Sequence, residues 1–131
     1  MNRDSLEVNS VTNLEQILQA RSAIGHVYMD ESIKDYVIDI VQATRNPASV
    51  GMPDLADMIS HGASPRASIA LNIAARTYAF VNRRGYVTPD DVKAVGPDVL
   101  RHRVLRTYEA EAEEVSSEQI VRRIFEAVEV P

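Results

Sequence analysis

Apolar residues recur at three- and four-residue steps along most of this chain, the period of helices with one buried face. Residues 1–11 lack that period and read as a lead-in, an extended segment ending at Val11. Thr12-Asn13-Leu14-Glu15 then has the form of a capping box, and Leu14, Ile17 and Leu18 make one stripe on a first helix that stops near Gly25. Asp30 can cap a second helix, in which Ile33, Tyr36, Val37, Ile40, Val41 and Thr44 line one face while Lys34, Asp35, Asp39 and Gln42 line the other. Arg45-Asn46-Pro47 ends it. Residues 46–52 read as a loop, and Pro53–Ser60 as a short helical turn closed by Gly62.

The stretch from Pro65 to about Arg84 is the longest and most apolar, so the pattern predicts a central helix touched on several sides. Arg83 and Arg84 suit its C-terminal end, and Gly85 its stop. Thr88-Pro89-Asp90-Asp91-Val92 starts a short helix up to Gly96, and Pro97-Asp98 begins another through Arg103. Val104–Tyr108 has strand-like composition and predicts a small hairpin, followed by the acidic run Glu109–Glu114. Ser116 and Gln119 form a further capping box for a last helix that buries Ile120, Val121, Ile124, Phe125 and Val128. The expected fold is an all-α bundle of four main helices plus short helical turns, with at most a very small β hairpin. Tyr36, Tyr78 and Phe80 are core candidates, and Arg76, inside an apolar helix, is expected to pair with an acidic residue of another helix.

At 131 residues the chain has the size of one domain. Its 19 acidic and 14 basic residues leave a net charge of −5, which argues against a polyanion binder, and no helix has the basic face of a DNA-recognition element. Nucleic acid is therefore not an expected partner. There is no run of 18 apolar residues and no basic-then-apolar start, so neither membrane insertion nor export is expected and the cytoplasm is the predicted location. With no cysteine there are no disulfides or thiolate sites, and His26, His61 and His102 are too scattered to suggest a metal centre. A phosphate-binding loop, a dinucleotide fingerprint, a nucleophile elbow and a His-Glu-x-x-His motif are all missing from the sequence. The chain is expected to be catalytically inactive by itself.

One segment stands out chemically: Gly62-Ala63-Ser64-Pro65-Arg66-Ala67. Ser64 can cap the long helix and Pro65 can occupy its first position, which puts Arg66 in the first turn. A cation there opposes the helix macrodipole and loses about 0.3–1 kcal/mol relative to a neutral side chain. A bound phosphate would compensate, because free amides and a guanidinium fork both suit phosphate oxygens. A nearby carboxylate or water would be the plainer alternative. His61 sits beside the turn as a loop residue that could help shape an anion site. Arg101, His102, Arg103 and Arg106, just ahead of the acidic run, are expected to be solvated or mutually paired, with contact to a neighbouring subunit as the other possibility.

Gly62-Ala63-Ser64-Pro65-Arg66-Ala67, then Ala74-Ala75-Arg76, Tyr86-Val87-Thr88-Pro89-Asp90-Asp91-Val92 and Val99-Leu100-Arg101-His102-Arg103 together closely resemble the C-terminal lid domain of MoxR-type AAA+ ATPases. Tyr36 and Ala43-Thr44-Arg45 extend the resemblance, which covers roughly residues 12–128. It implies that residues 1–11 lead in from a missing ATPase core and that residues 12–131 are the lid. It also implies that Arg66 is the sensor 2 arginine acting on ATP, with Ser64 and Ala63 beside the nucleotide, in a parent enzyme that uses ATP and Mg2+. The implied partners are the N-terminal core of the same chain, neighbouring subunits of a ring and a protein carrying a von Willebrand factor A domain. Asn82-Arg83-Arg84-Gly85 departs from the compact Gly-Arg turn of such lids and is expected to alter only the helix end. The competing reading is a free-standing helical protein–protein interaction domain in which Arg66 pairs with a carboxylate.

Overall fold

A computed structural model describes residues 6–131. The helices are α1 (Leu14–Ile24), α2 (Glu31–Arg45), α3 (Arg66–Val81), α4 (Pro89–Leu100), α5 (Tyr108–Ala112) and α6 (Ser117–Ala127), with strands β1 (Ile59–His61) and β2 (Leu105–Arg106). Of the lead-in 1–11, residues 1–5 lie outside the described residues; residues 6–11 have no regular structure, and Leu6, Val8 and Val11 are exposed. The fold is the expected all-α bundle with a minimal antiparallel sheet.

Capping fixes most helix starts. The Asn13 side chain accepts the Gln16 amide, Asp30 accepts the Ser32 amide, and Ser116 with Gln119 form a reciprocal box. The core is built from α2, α3, α4 and α6. Ala67, Leu71, Ala75 and Ala79 recur every four residues on α3, and three alanines on that stripe let α4 lie close along it. Val92 and Leu100 of α4, Ile40 of α2, and Ile120 and Ile124 of α6 are fully buried in the same core, where α6 packs on α4 and α2. Each such aliphatic side chain contributes about 1.5–3 kcal/mol relative to exposure.

Several local expectations change. Gly96 does not stop α4, and Pro97 lies inside one continuous helix. Gly96 instead makes room for α6: a Cβ there would come within 2.1 Å of the Phe125 ring. At the end of α3 the left-handed residue is Arg83 (φ 59°), not Gly85, and Asn82 bonds back to the Tyr78 carbonyl. Residues 46–52 are not a plain loop, because Pro47–Val50 forms a 3-10 turn that ends at Gly51 with φ 77°. The following helical turn covers only Pro53–Asp57, and the chain then enters β1. β1 pairs with the distant β2, with Ile59 opposite Arg106 and His61 opposite Leu105, so the strand-like stretch after Val104 is not a local hairpin. Of the aromatic core candidates, Tyr36 is buried, Phe80 is half-buried and Tyr78 is exposed.

The joint between α3 and α4 is polar. Asp91 is buried at 1% exposure and takes two hydrogen bonds from Arg84, at 2.7 and 2.5 Å, as well as the Thr88 amide at 2.8 Å. Arg84 thus serves this pair and not the α3 helix end, and its guanidinium also lies 5.8 Å from the Tyr86 ring centre. Burial raises the Asp91 pKa, but the hydrogen bonds from Arg84 and Thr88 outweigh it and hold the carboxyl below its ordinary value. Its contribution to stability is therefore complete above the unfolded carboxyl pKa and is lost as pH falls through the lowered folded value. Asp91→Ala should cost on the order of 3 kcal/mol, and Asp91→Asn should flatten the acid limb of a stability profile measured by urea unfolding against pH.

Candidate functional site

The Gly62–Ala67 segment connects β1 to α3 and is locked against the end of α2. Ala63 is buried and donates its amide to the Thr44 hydroxyl at 2.9 Å, while that hydroxyl donates to the Val41 carbonyl at 2.6 Å. Gly62 lies so close to α2 that a Cβ would stand 2.4 Å from the Thr44 carbonyl oxygen and 2.8 Å from the Arg45 Cα. Glycine is required by this approach between backbones, not by an unusual φ. Beyond the buried Ala63, residues Ser64, Pro65 and Arg66 emerge into solvent.

Pro65 already has helical dihedrals, φ −55° and ψ −22°, so Arg66 falls in the first turn as the sequence predicts. Ser64 does not cap with its side chain. Its carbonyl accepts the Ala67 amide at 2.8 Å, the Pro65 carbonyl accepts that of Ser68 at 3.1 Å, and no side-chain cap is present. The cause is the tight turn at Pro65, which satisfies these amides through backbone oxygens. Arg66 makes no hydrogen bond or ion pair with any described residue, like Arg21, Arg45, Arg83 and Arg122 but unlike Arg84, Arg101, Arg106 and Arg123, which are paired with carboxylates. An exposed guanidinium on an uncapped helix start can donate to an anion arriving from outside the domain.

An apolar surface continues from Arg66 along α3. Ile69 and Ile73, at 63% and 58% exposure, lie on the same helical face as Arg66. With Val37 and Ile38 of α2 they line an open groove of about 310 Å³. A second groove of about 420 Å³ runs between Ile73, Arg76 and Thr77 of α3 and Arg21 and Ile24 of α1. α1 buries none of its residues, and Leu14, Ile17 and Leu18 are exposed. α3 is touched by α1, α2 and α4, as the pattern predicts, but Ile69, Ile73, Tyr78 and Val81 stay exposed, so one of its faces is open. The pattern held the signal, since the alanine-rich stripe at four-residue spacing is distinct from the Ile69–Ile73 stripe.

Arg76 also differs from expectation. Its guanidinium donates to the Gly25 carbonyl at 3.0 Å, where the C-terminal end of α1 offers negative charge, and it meets no carboxylate. His61 belongs to β1, with its Nδ1 2.9 Å from the Ser60 hydroxyl. The basic cluster is paired locally: Arg101 with Asp98 and Glu118, Arg106 with Glu111, and Arg103 with the Val99 carbonyl. Among the described residues no three His, Cys, Asp or Glu side chains are grouped to hold a metal, and no helix is long and apolar enough to cross a membrane.

Residues 54–124 match the AAA lid domain family. The chain is 38% identical over 125 residues to Chaperone MoxR1 of Mycobacterium tuberculosis, covering 95% of this chain and 33% of that protein. It is 34% identical over 128 residues to Protein MoxR of Methylorubrum extorquens, covering 92% and 37% respectively. A crystal structure from Cytophaga hutchinsonii, of a protein assigned as an ATPase, superposes with a TM-score of 0.87 at 44% identity, covering 89% of this chain and 36% of that one. The chain belongs to the AAA lid domain family, as the lid of a MoxR-type AAA+ ATPase. It spans about a third of the length of the curated relatives it matches.

The geometry separates two substitutions in the turn. Gly62→Ala should destabilise the domain by about 2 kcal/mol or more, because only backbone atoms border the added methyl group. Ser64→Ala should change stability by less than about 0.5 kcal/mol, well short of the loss typical of a true capping serine. Chemical denaturation of the two variants checks both values.

Proposed function

We propose that residues 12–131 act as a lid over ATP held by a nucleotide-binding domain of the same polypeptide, with residues 1–11 leading in from that domain and Arg66 as the sensor 2 arginine. The observation that carries this reading is the Arg66 guanidinium, exposed and unpartnered among the described residues, at a helix start with no side-chain cap. Those features fit a phosphate approached from one side. Ligands for Mg2+ are assigned to the adjoining domain, since no acidic cluster suited to a metal occurs among the described residues.

ATP with Mg2+ supplies the transferable phosphoryl group when bound. Arg66 donates N–H groups toward the terminal phosphate oxygens, where negative charge has to be balanced during transfer; Ser64 borders that position, and Ala63, buried with its amide on Thr44, supports it from beneath the turn. Loss of the terminal phosphate removes the partner of Arg66, which biases the lid toward a different orientation and couples nucleotide state to domain movement. By itself the lid binds nucleotide weakly and does not hydrolyse it, because one arginine and one helix end recover little of the entropy lost on association. The parent acts as a chaperone-like machine in the cytoplasm, with neighbouring subunits of a ring and a von Willebrand factor A domain protein as partners.

A free-standing interaction domain is the second reading, and the open face formed by Ile69 and Ile73 together with α1 favours it. Under the lid reading the ATPase domain covers that face. A phosphate-loop sequence in the reading frame upstream of Met1 would separate the two. In the full-length protein, Arg66→Ala should lower ATP turnover roughly tenfold or more, or abolish nucleotide-dependent assembly. Wild-type behaviour in both assays overturns the assignment.

A further inference from the structure

We infer that Thr44 is a positioning residue for Arg66: its hydroxyl clamps the turn that presents the arginine to the last turn of α2. The inference rests on the sensor reading of Arg66 and adds the element that holds it. Thr44 sits on the apolar stripe of α2 and is fully buried, yet it is there for its oxygen as much as for its methyl group. The hydroxyl donates to the Val41 carbonyl at 2.6 Å, which orients its lone pairs to accept the Ala63 amide at 2.9 Å. The Ala63 amide is buried in a segment with no ladder partner of its own, so without Thr44 it has no acceptor.

Two further contacts make the clamp specific. Gly62 rests on the Thr44 carbonyl and the Arg45 Cα, which brings the turn against the same helix end. Ala67, one residue past Arg66, is fully buried on the packed stripe of α3. The exposed segment Ser64–Arg66 is therefore fixed at both ends, by Thr44 through Ala63 and by α3 through Ala67. Movement of the arginine is then obliged to move the end of α2 as well as α3. Valine matches threonine in shape and lacks the oxygen, whereas serine keeps the oxygen, so the two substitutions separate packing from hydrogen bonding.

The test uses the full-length protein carrying Thr44→Val, Thr44→Ser, Arg66→Ala, and Thr44→Val combined with Arg66→Ala. Three quantities are read: amide exchange at Ala63, affinity for a fluorescent ATP analogue, and ATP turnover. Thr44→Val should speed Ala63 exchange about tenfold or more, the factor expected when a buried amide loses its acceptor, and should weaken nucleotide affinity and turnover severalfold. Thr44→Ser should restore all three toward wild type. In the Arg66→Ala background, Thr44→Val should still speed exchange but cause no further loss of affinity or turnover. An equal further loss in that background overturns the inference, as does unchanged Ala63 exchange in Thr44→Val. Should Arg66→Ala by itself leave affinity and turnover intact, the sensor reading fails and the positioning role falls with it, while accelerated Ala63 exchange in Thr44→Val would still establish the clamp as a structural contact.

Discussion

The contact between Gly62 and the backbone of Thr44 and Arg45 is the constraint around which this domain is arranged. It joins the end of one core helix to the segment that starts another, at a separation where even a methyl group has no space. Because both partners are backbone, neither can yield by changing rotamer. The buried exchange of hydrogen bonds through the Thr44 hydroxyl adds direction to that proximity. From that start point α3 packs on α4, and α4 on α6.

Much of the fold was legible because local signals agreed with one another. Asp30 and Ser116 cap as read, while α1 is capped by Asn13 one residue past the Thr12 box that was expected, and the α6 stripe of Ile120, Val121 and Ile124 is buried as its period requires. The misreadings share a cause, which is tertiary override of punctuation residues. Gly96 reads as a stop but is kept for its missing side chain, which admits the Phe125 ring, and Pro97 is then carried within the helix. Gly85 reads as the helix stop, yet α3 ends at Val81 and Arg83 takes the left-handed conformation just beyond it. Pairing of β1 with β2 spans more than forty residues, which no window of sequence can reveal.

At the candidate site, the position of Arg66 in the first turn of α3 was legible from Pro65, and its exposure follows from the buried residues on either side, Ala63 and Ala67. The roles of Thr44 and Gly62 were not, because both depend on a contact between segments nineteen residues apart in sequence. Arg76 shows the same limit: its spacing inside an apolar helix correctly implied a partner, but the partner is the carbonyl end of α1 and carries no formal charge. Charge patterning identifies the need for compensation better than it identifies the compensating group.

α1 is held in an unusual way. It buries no side chain, and its C-terminal end is tied to α3 through a guanidinium on the Gly25 carbonyl. An isolated helix of 11 residues is only marginally stable in water, so little cooperativity with the core supports it. Mechanically the consequence is a compliant joint followed by a stiff body. α1 can fray or tilt without unpacking the core that begins at Val27, and the Arg76 contact to Gly25 is the side-chain hydrogen bond that ties it to α3.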